Sequence, residues 1–412
     1  MTCLARSPTW MKAKLTNFTK EVKSAMTKGK DREHFEDYRE QTQIKHSILA
    51  AYLPAYYHIL KGSNDNLIYI DGFAGPGAYV QTGTGDTFNG SPILALQLIA
   101  DNKDFSTKVS TIFIEADEVL FDRLNRKVDE FYSTHPQIRK PICQHGAFAD
   151  QLNEIVNGVG IYLAPTFLFV DPCGVSGTSF ETIRAIMENP KCEAFIFFNI
   201  DGIRRIAGLP ELSPVLVELM GTTARAKELY DKLRQTNNVG ERERMILSEY
   251  CKALREEMGA KYIIPFRVEH EDRMTTSHYL IHASKHHLGF RIMKDVMWRR
   301  GHGEDEPGGL ELRQRSRTDF VPLFDRHADI KAEILNALKA RPLRVSLFYE
   351  EWTKRLDDMH CEAEYRQALL ELESTGQIEV LSKDGKVVSV NMRRRPKGKA
   401  TLGKDNSVRL KS

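Results

Sequence analysis

Three apolar runs in the first half of the chain each end in a carboxylate: Leu67-Ile-Tyr-Ile70 in Asp71, Val109-Ser-Thr-Ile-Phe-Ile114 in Glu115, and Thr166-Phe-Leu-Phe-Val170 in Asp171. Short continuous apolar runs of this kind read as parallel strands covered on both faces. An acid at the carboxyl end of such a strand lies on the edge where open α/β sheets hold their ligands. A further run, Glu193-Ala-Phe-Ile-Phe-Phe-Asn-Ile200, closes with Asn199, Asp201 and Arg204 beside it. Carboxylates converging on one crevice accept hydrogen bonds from hydroxyl and amino groups, and they can orient two reactants.

The first acid leads into Gly72-Phe73-Ala74-Gly75-Pro76-Gly77, where glycines give the backbone freedom to turn tightly and to approach a ligand. A dinucleotide fingerprint would place Gly or Ala three residues beyond Gly77, where Val80 stands, and no Gly-Lys-Ser/Thr follows. Pyrophosphate and triphosphate ligands are disfavoured on that ground. A cofactor with an amino-acid end and a nucleoside end, S-adenosylmethionine, matches better, with Asp71, Gly72, Phe73, Gly75 and Gly77 at the methionine end. Glu115 then accepts from both ribose hydroxyls. It lies about forty residues past Gly75 where a minimal unit uses about twenty, so residues 81–89 read as an extended loop. Ser91-Pro92 reads as the start of the following helix. Residues 143–145 read as a third strand, and Asp150 beyond it is placed either to contact the adenine amino group or to cap a helix.

Asp171-Pro172-Cys173-Gly174 resembles the Asp-Pro-Pro-Tyr signature of amino methyltransferases. In that signature the Asp and the following carbonyl hold an amino group in line with the methyl sulfonium, so Asp171 and Pro172 are the expected catalytic pair. Cys173 and Gly174 replace the second Pro and the Tyr, which removes the aromatic platform. Phe180 is nearby but reads as a core residue. Cys173 has no neighbouring His in the motif to lower its pKa and reads as an inert small residue.

Several blocks in order resemble a known family, the three-Cys-motif partner proteins (TcmP): Gln43-Ile-Lys-His-Ser-Ile-Leu49, Tyr69 through Gly77, Gly90-Ser-Pro-Ile-Leu-Ala-Leu96, Phe113-Ile-Glu115, Phe169-Val-Asp-Pro-Cys-Gly174, and Tyr279 through His286 with 289–298. The resemblance covers roughly residues 40–300. It implies an α/β, Rossmann-like S-adenosylmethionine-methyltransferase sheet and a three-Cys-motif, radical-S-adenosylmethionine-like partner protein. Family members usually carry an aromatic residue where Cys173 stands.

The alternation of strands with helical stretches predicts right-handed crossovers and a parallel sheet. Residues 202–260 read as an inserted helical cap within a domain spanning 41–300. Residues 262–268 and 278–284 read as an antiparallel closing pair, 1–40 as an amino-terminal helical extension and 301–327 as a Gly-rich linker. Lys45-His46, on a helix ahead of the first strand, reads either as a lid over the cofactor or as a surface pair. His286-His287 lacks an acid or Cys at ligand spacing and reads as structural or surface, with no metal expected.

Residues 328–392 read as a winged-helix-like domain: helices at 330–338, 347–356 and 364–374, then strands 378–381 and 387–390 turned at Asp384-Gly385. From 393 onwards eight Lys/Arg face one Asp, giving +7 against about −4 for the rest of a chain whose net charge is +3. Such a segment is expected to be a disordered basic tail, either solubilising or following phosphates by counterion release. The acids Glu362, Glu364, Glu371 and Glu373 make the third helix a poor surface for a DNA groove. Any nucleic acid would be carried by Lys383, Lys386, Arg393, Arg394 and Arg395.

The chain has 412 residues, 41% hydrophobic and 28% charged. Its six cysteines contain no Cys-x-x-Cys pair, so neither a zinc knuckle nor a disulfide framework is indicated. With no bilayer-length apolar run and no compact signal region, a reduced, cytoplasmic setting is expected. The combined expectation is a methyltransferase acting on an amino group of a nucleic acid. A non-catalytic partner with the same fold, or a nucleic-acid-binding protein, are the alternatives.

Overall fold

The computed structural model describes residues 40–80, 85–159, 164–270, 275–303, 306–307, 311–312, 326–355, 360–390, 393 and 402–411. The expected 1–40 extension lies almost wholly outside these residues.

In chain order the elements are α1 (Glu40–Leu60), β1 (Leu67–Asp71), β2 (Ala78–Val80), β3 (Thr87–Asn89), α2 (Ser91–Ala100), α3 (Lys103–Ser106), β4 (Val109–Glu115), α4 (Glu118–Thr134), β5 (Ile142–His145), α5 (Phe148–Val159), β6 (Thr166–Val170), α6 (Phe180–Met187) and β7 (Glu193–Phe198). Four helices follow, α7 (Ile200–Ala207), α8 (Pro214–Met220), α9 (Thr223–Leu233) and α10 (Val239–Met258), then β8 (Tyr262–Glu269), β9 (Thr276–Ser284) and α11 (His287–Arg300). The strands order as β5-β4-β1-β6-β7-β9-β8, all parallel except β9, which runs antiparallel to both neighbours. Numbered as the seven long strands, this is 3-2-1-4-5-7-6. It is a mixed α/β architecture around a mostly parallel sheet.

The apolar runs form strands because both sheet faces are covered. Tyr69, Phe113, Phe167, Phe169 and Phe195 face one cluster with α1, α2, α4 and α11, while Ile70, Ile112, Leu168, Ala194 and Ile196 face the other with α5 to α10. Each fully buried large side chain contributes roughly 1.5–3 kcal/mol. α1 is fixed to its face by Ile48, Leu49 and Leu53 and by a buried polar anchor. The Glu193 carboxylate accepts from Tyr52 and Ser284 and pairs with His282. Gly289 leaves this anchor room: a Cβ there would fall 2.3 Å from Glu193 Oε1.

Two expectations about the rest of the chain are corrected. The Gly-rich segment after α11 is not only a linker, because β10 (His302–Gly303), β11 (Glu306–Pro307) and β12 (Glu311–Leu312) extend the sheet beyond β8. Residues 402–411 of the basic end are not a disordered tail. After α12 (Arg326–Leu338), β13 (Leu343–Arg344), a π-turn and 3-10 segment over 347–354, α13 (Glu362–Ser374) and β14 (Ile378–Leu381) comes β15 (Ser407–Leu410), the middle strand of a three-stranded antiparallel sheet β13-β15-β14. Val408 and Leu402 are buried in that unit's core. The turn at Asp384-Gly385 forms, with Gly385 at φ +76°, but its second arm makes only a short pairing, Leu381 with Val387 and Val388 N donating to Val380 O at 2.9 Å, while β15 covers the opposite edge of β14.

Candidate functional site

The strand order reverses between β1 and β6, and α/β sheets open a crevice at such a switch point. Asp71 and Asp171 end those two strands. Between them the glycine bend is stitched to its neighbours: Gly72 N donates to Phe169 O at 2.9 Å and Ala74 N to Ile114 O at 2.9 Å. Gly75 and Gly77 take φ of +62° and +79°, conformations that disfavour a side chain. Gly72 serves packing instead, since a Cβ there would meet the Phe148 ring at 2.6 Å. Phe73 packs on the same ring, with centroids 5.1 Å apart.

Glu115 reaches into this bend. Its Oε2 accepts from Gly75 N and its Oε1 from Asp117 N, both at 2.8 Å. Burial raises its pKa, partly offset by those amides. Each carboxylate oxygen keeps a second lone pair for a ligand hydroxyl.

Asp71 is wholly buried. Its Oδ1 accepts from Phe73 N at 3.2 Å, while Oδ2 has no hydrogen-bond partner. Burial pushes the carboxyl up to about 7, against the opposing pull of Ser91 and the Phe73 amide and with a further push from Asp171 and Glu115.

At the end of β6, Lys45 Nζ lies 2.6 Å from Asp171 Oδ2 and 4.6 Å above the Phe197 ring. Lys45 stands two helical turns before Tyr52, so the Glu193 anchor at the far end of the sheet aims it at Asp171. Neither sequence reading of Lys45-His46 describes this arrangement, because both residues are buried and Lys45 is committed to the acid. Burial, with Lys45 adding to it, drives His46 down to about 3 and His278 well below the ordinary range. His278 sits against Phe197, centroids 4.3 Å apart, with Nε2 unpartnered.

Pro172 is buried and Cys173 exposed. Phe180 is a core residue packed on Tyr250. Asn199 caps α7 through Gly202 N at 2.9 Å, and Arg204 ties Asp201 to Glu243, so these strand-end residues are engaged in structure. Asp150 is exposed in the first turn of α5, whereas Asp71 is buried and Glu115 and Asp171 are partly so. His286 caps α11.

Sequence reasoning missed Tyr79. Residues 81–89 were read as loop, yet β2 and β3 form a hairpin with Tyr79 opposite Phe88, closed by Gly90 N donating to Gly77 O at 2.8 Å. An aromatic two positions beyond Gly77 was the available signal. The basic residues of the chain's end are also placed differently from expectation. Arg393 is buried and ion-paired with Glu373, Lys404 with Glu350 and Arg409 with Glu379, which removes Arg393 from any nucleic-acid surface. Lys383 and Lys386 are exposed at the turn, while Arg394 and Arg395 lie outside the described residues.

Among the described residues no helix is long and apolar enough to cross a membrane, and no group of His, Cys, Asp or Glu is arranged to hold a metal. No family model and no curated protein matches the chain. Solved structures align at low similarity. The Legionella pneumophila protein LPL1258 has 11% identity and a TM-score of 0.37 over 61% of this chain and 86% of its own. The methyltransferase domain of bacterial CtHen1-C has 10% identity and a TM-score of 0.27 over 57% and 97%. M. jannaschii TYW2, solved with AdoMet, has 11% identity and a TM-score of 0.26 over 57% and 74%. Likenesses this distant carry no functional weight, and the site's own geometry must supply it.

Proposed function

We propose that this chain is an S-adenosylmethionine-dependent methyltransferase-like protein of the TcmP kind, acting on an amino group of a nucleic acid. The observation that carries the reading is the Glu115 carboxylate reaching from the end of β4 into the Gly75 bend at the end of β1. That arrangement sets a ribose acceptor beside a main-chain cradle at the switch point. The residues fit the cofactor in two further respects: Asp71 Oδ2 is a buried oxygen with no hydrogen-bond partner, and Gly75 and Gly77 adopt backbone angles that keep side chains out of the bend. The mostly parallel α/β sheet is in keeping with the Rossmann-like sheet that the resemblance implies.

Bound, the cofactor supplies an electrophilic methyl group. Asp71, Gly72, Phe73, Gly75 and Gly77 would hold its amino-acid end, Glu115 its ribose and Asp150 its adenine. Asp171 would accept an N–H of the acceptor amine, with the Pro172 carbonyl as second acceptor, and positioning would supply much of the rate. Calorimetry with S-adenosylmethionine and S-adenosylhomocysteine tests this. Wild type should bind both and Glu115→Ala should bind neither well; no binding to either by wild type overturns the reading.

A second reading is favoured by Lys45, which already occupies one oxygen of Asp171. In it the chain is a non-catalytic partner that keeps the fold and docks a radical-S-adenosylmethionine-like three-Cys-motif protein. Cofactor binding without labelled-methyl transfer to total RNA or DNA, in wild type and Lys45→Met alike, would favour it. In either reading Lys383 and Lys386, exposed at the turn, would carry a nucleic-acid contact in this unit, together with Arg394 and Arg395, which lie outside the described residues.

A further inference from the structure

The Asp171-Pro172-Cys173-Gly174 turn offers no ring for an acceptor to lie on. Cys173 is exposed, and a Cβ on Gly174 would meet open space. An aromatic side chain nevertheless enters the crevice from another element. Tyr79 projects from β2, on the hairpin inserted between the glycine bend and α2. Its flank rests on main chain: a Cβ on Gly90 would lie 3.2 Å from Tyr79 Cε2. Its hydroxyl comes within 3.3 Å of where a Gly75 Cβ would stand. The His46 ring lies 6.3 Å away, tilted by 45°. The ring is half-buried. Burial first, and then the charges of Asp171, Asp71, Cys173 and Glu115, raise the phenol's pKa. Phe73 and Phe180 cannot serve, since one packs on Phe148 and the other is enclosed beside Tyr250.

We propose that Tyr79 is the surface on which the acceptor stacks, and that the acceptor is a nucleobase with its exocyclic nitrogen turned to Asp171. The inference rests on the methyl-transfer reading for its purpose but not for its measurement. A neutral planar amine can use the lone pairs that Lys45 leaves on Asp171 without exchanging charge. A lysine side chain as acceptor would instead compete with an identical ammonium already in place. Stacking on an aromatic face accepts any base, so identity would be read elsewhere in the site. A base within a duplex would have to be flipped out to reach the crevice.

The test uses the full chain with S-adenosylhomocysteine and three probes: short single-stranded DNA and RNA, each carrying one 2-aminopurine, and the free 2-aminopurine nucleoside. Wild type and Tyr79→Phe should quench the probe's fluorescence. Tyr79→Ala and Tyr79→Leu should lose the quenching and bind the oligonucleotides about tenfold or more weakly, in keeping with a lost base–aromatic stack. All three variants should keep wild-type affinity for S-adenosylhomocysteine; Tyr79→Phe should also keep the wild-type melting temperature, while Tyr79→Ala and Tyr79→Leu lower it without losing that affinity. Quenching by the oligonucleotides but not the nucleoside assigns the ligand to a polymer, and quenching by all three to the base itself; both support the stack. Equal quenching by wild type and Tyr79→Ala, no quenching by wild type, loss in Tyr79→Phe as well, or methyl transfer to a lysine peptide in place of the oligonucleotides overturns it. If wild type fails to bind S-adenosylhomocysteine, the methyl-transfer reading falls while the quenching comparison, repeated without it, still decides the stack.

Discussion

Lys45 Nζ and Asp171 Oδ2 meet at 2.6 Å across 126 positions of sequence, joining the first helix to the carboxyl end of β6. The pair is mostly shielded from solvent, at 11% and 18% side-chain exposure, so each charge depends on the other more than a surface pair would. Lys45→Met should lower stability by about 2 kcal/mol in urea unfolding, and adding Asp171→Asn in the same chain should recover most of that. Strict additivity of the two changes would show that the contact contributes nothing.

Asp71 gives a pH dependence whose sign is fixed. Its folded carboxyl titrates at about 7, above the ordinary 3.8, so between these values the folded chain holds a proton that the unfolded chain has released. Its contribution to stability is therefore greatest below pH 4 and declines as pH rises through 7. Asp71→Asn should be more stable than wild type at pH 8, by about 4 kcal/mol at most, and should bind S-adenosylmethionine more weakly. A wild-type-like pH profile in the variant would remove burial as the cause.

His46 acts in the opposite direction. Its folded value of about 3 lies below the ordinary 6.5, so the unfolded chain takes up a proton first as pH falls. Stability from this group is complete above pH 6.5 and is lost towards pH 3. His46→Gln should gain on wild type at pH 5 but not at pH 8, as read from urea midpoints at the two values.

The unit near the chain's end should not survive loss of its last strand. Truncation after residue 401 removes β15 and the buried Val408 from the middle of the sheet, so limited proteolysis should digest residues 326–390 while the main sheet remains intact. Val408→Ala, a milder lesion, should cost roughly 2 kcal/mol within that unit.

Gly72→Ala tests the packing beneath the bend. Its Cβ would stand 2.6 Å from the Phe148 ring, and Phe148 has little room to yield in a packed core. A loss of about 1–3 kcal/mol in urea unfolding is expected, with partial recovery on Phe148→Leu.

The strands around the crevice were legible because each is an unbroken apolar run ending in an acid, a local signal that a doubly covered sheet makes unambiguous. The β2–β3 hairpin was not, since arms of three residues carry too little periodicity to distinguish from loop. Nor was the Lys45–Asp171 pair, which depends on how α1 crosses the sheet. The basic end misled most. Ser407-Val-Arg-Leu410 alternates over only four residues, and the surrounding cations read as excess charge because the glutamates they pair with, Glu350, Glu373 and Glu379, lie earlier in the chain.

That β15 is the middle strand of its sheet has a consequence for biosynthesis. The main sheet has all seven long strands once residue 284 has left the ribosome, whereas β13 must wait for 407–410 before it has a neighbour, and β14, bridged to Val387 on one edge, must wait for them to cover the other. Until then the nascent chain presents two open edges and an incomplete core, a state that chaperones and proteases can distinguish from the finished molecule.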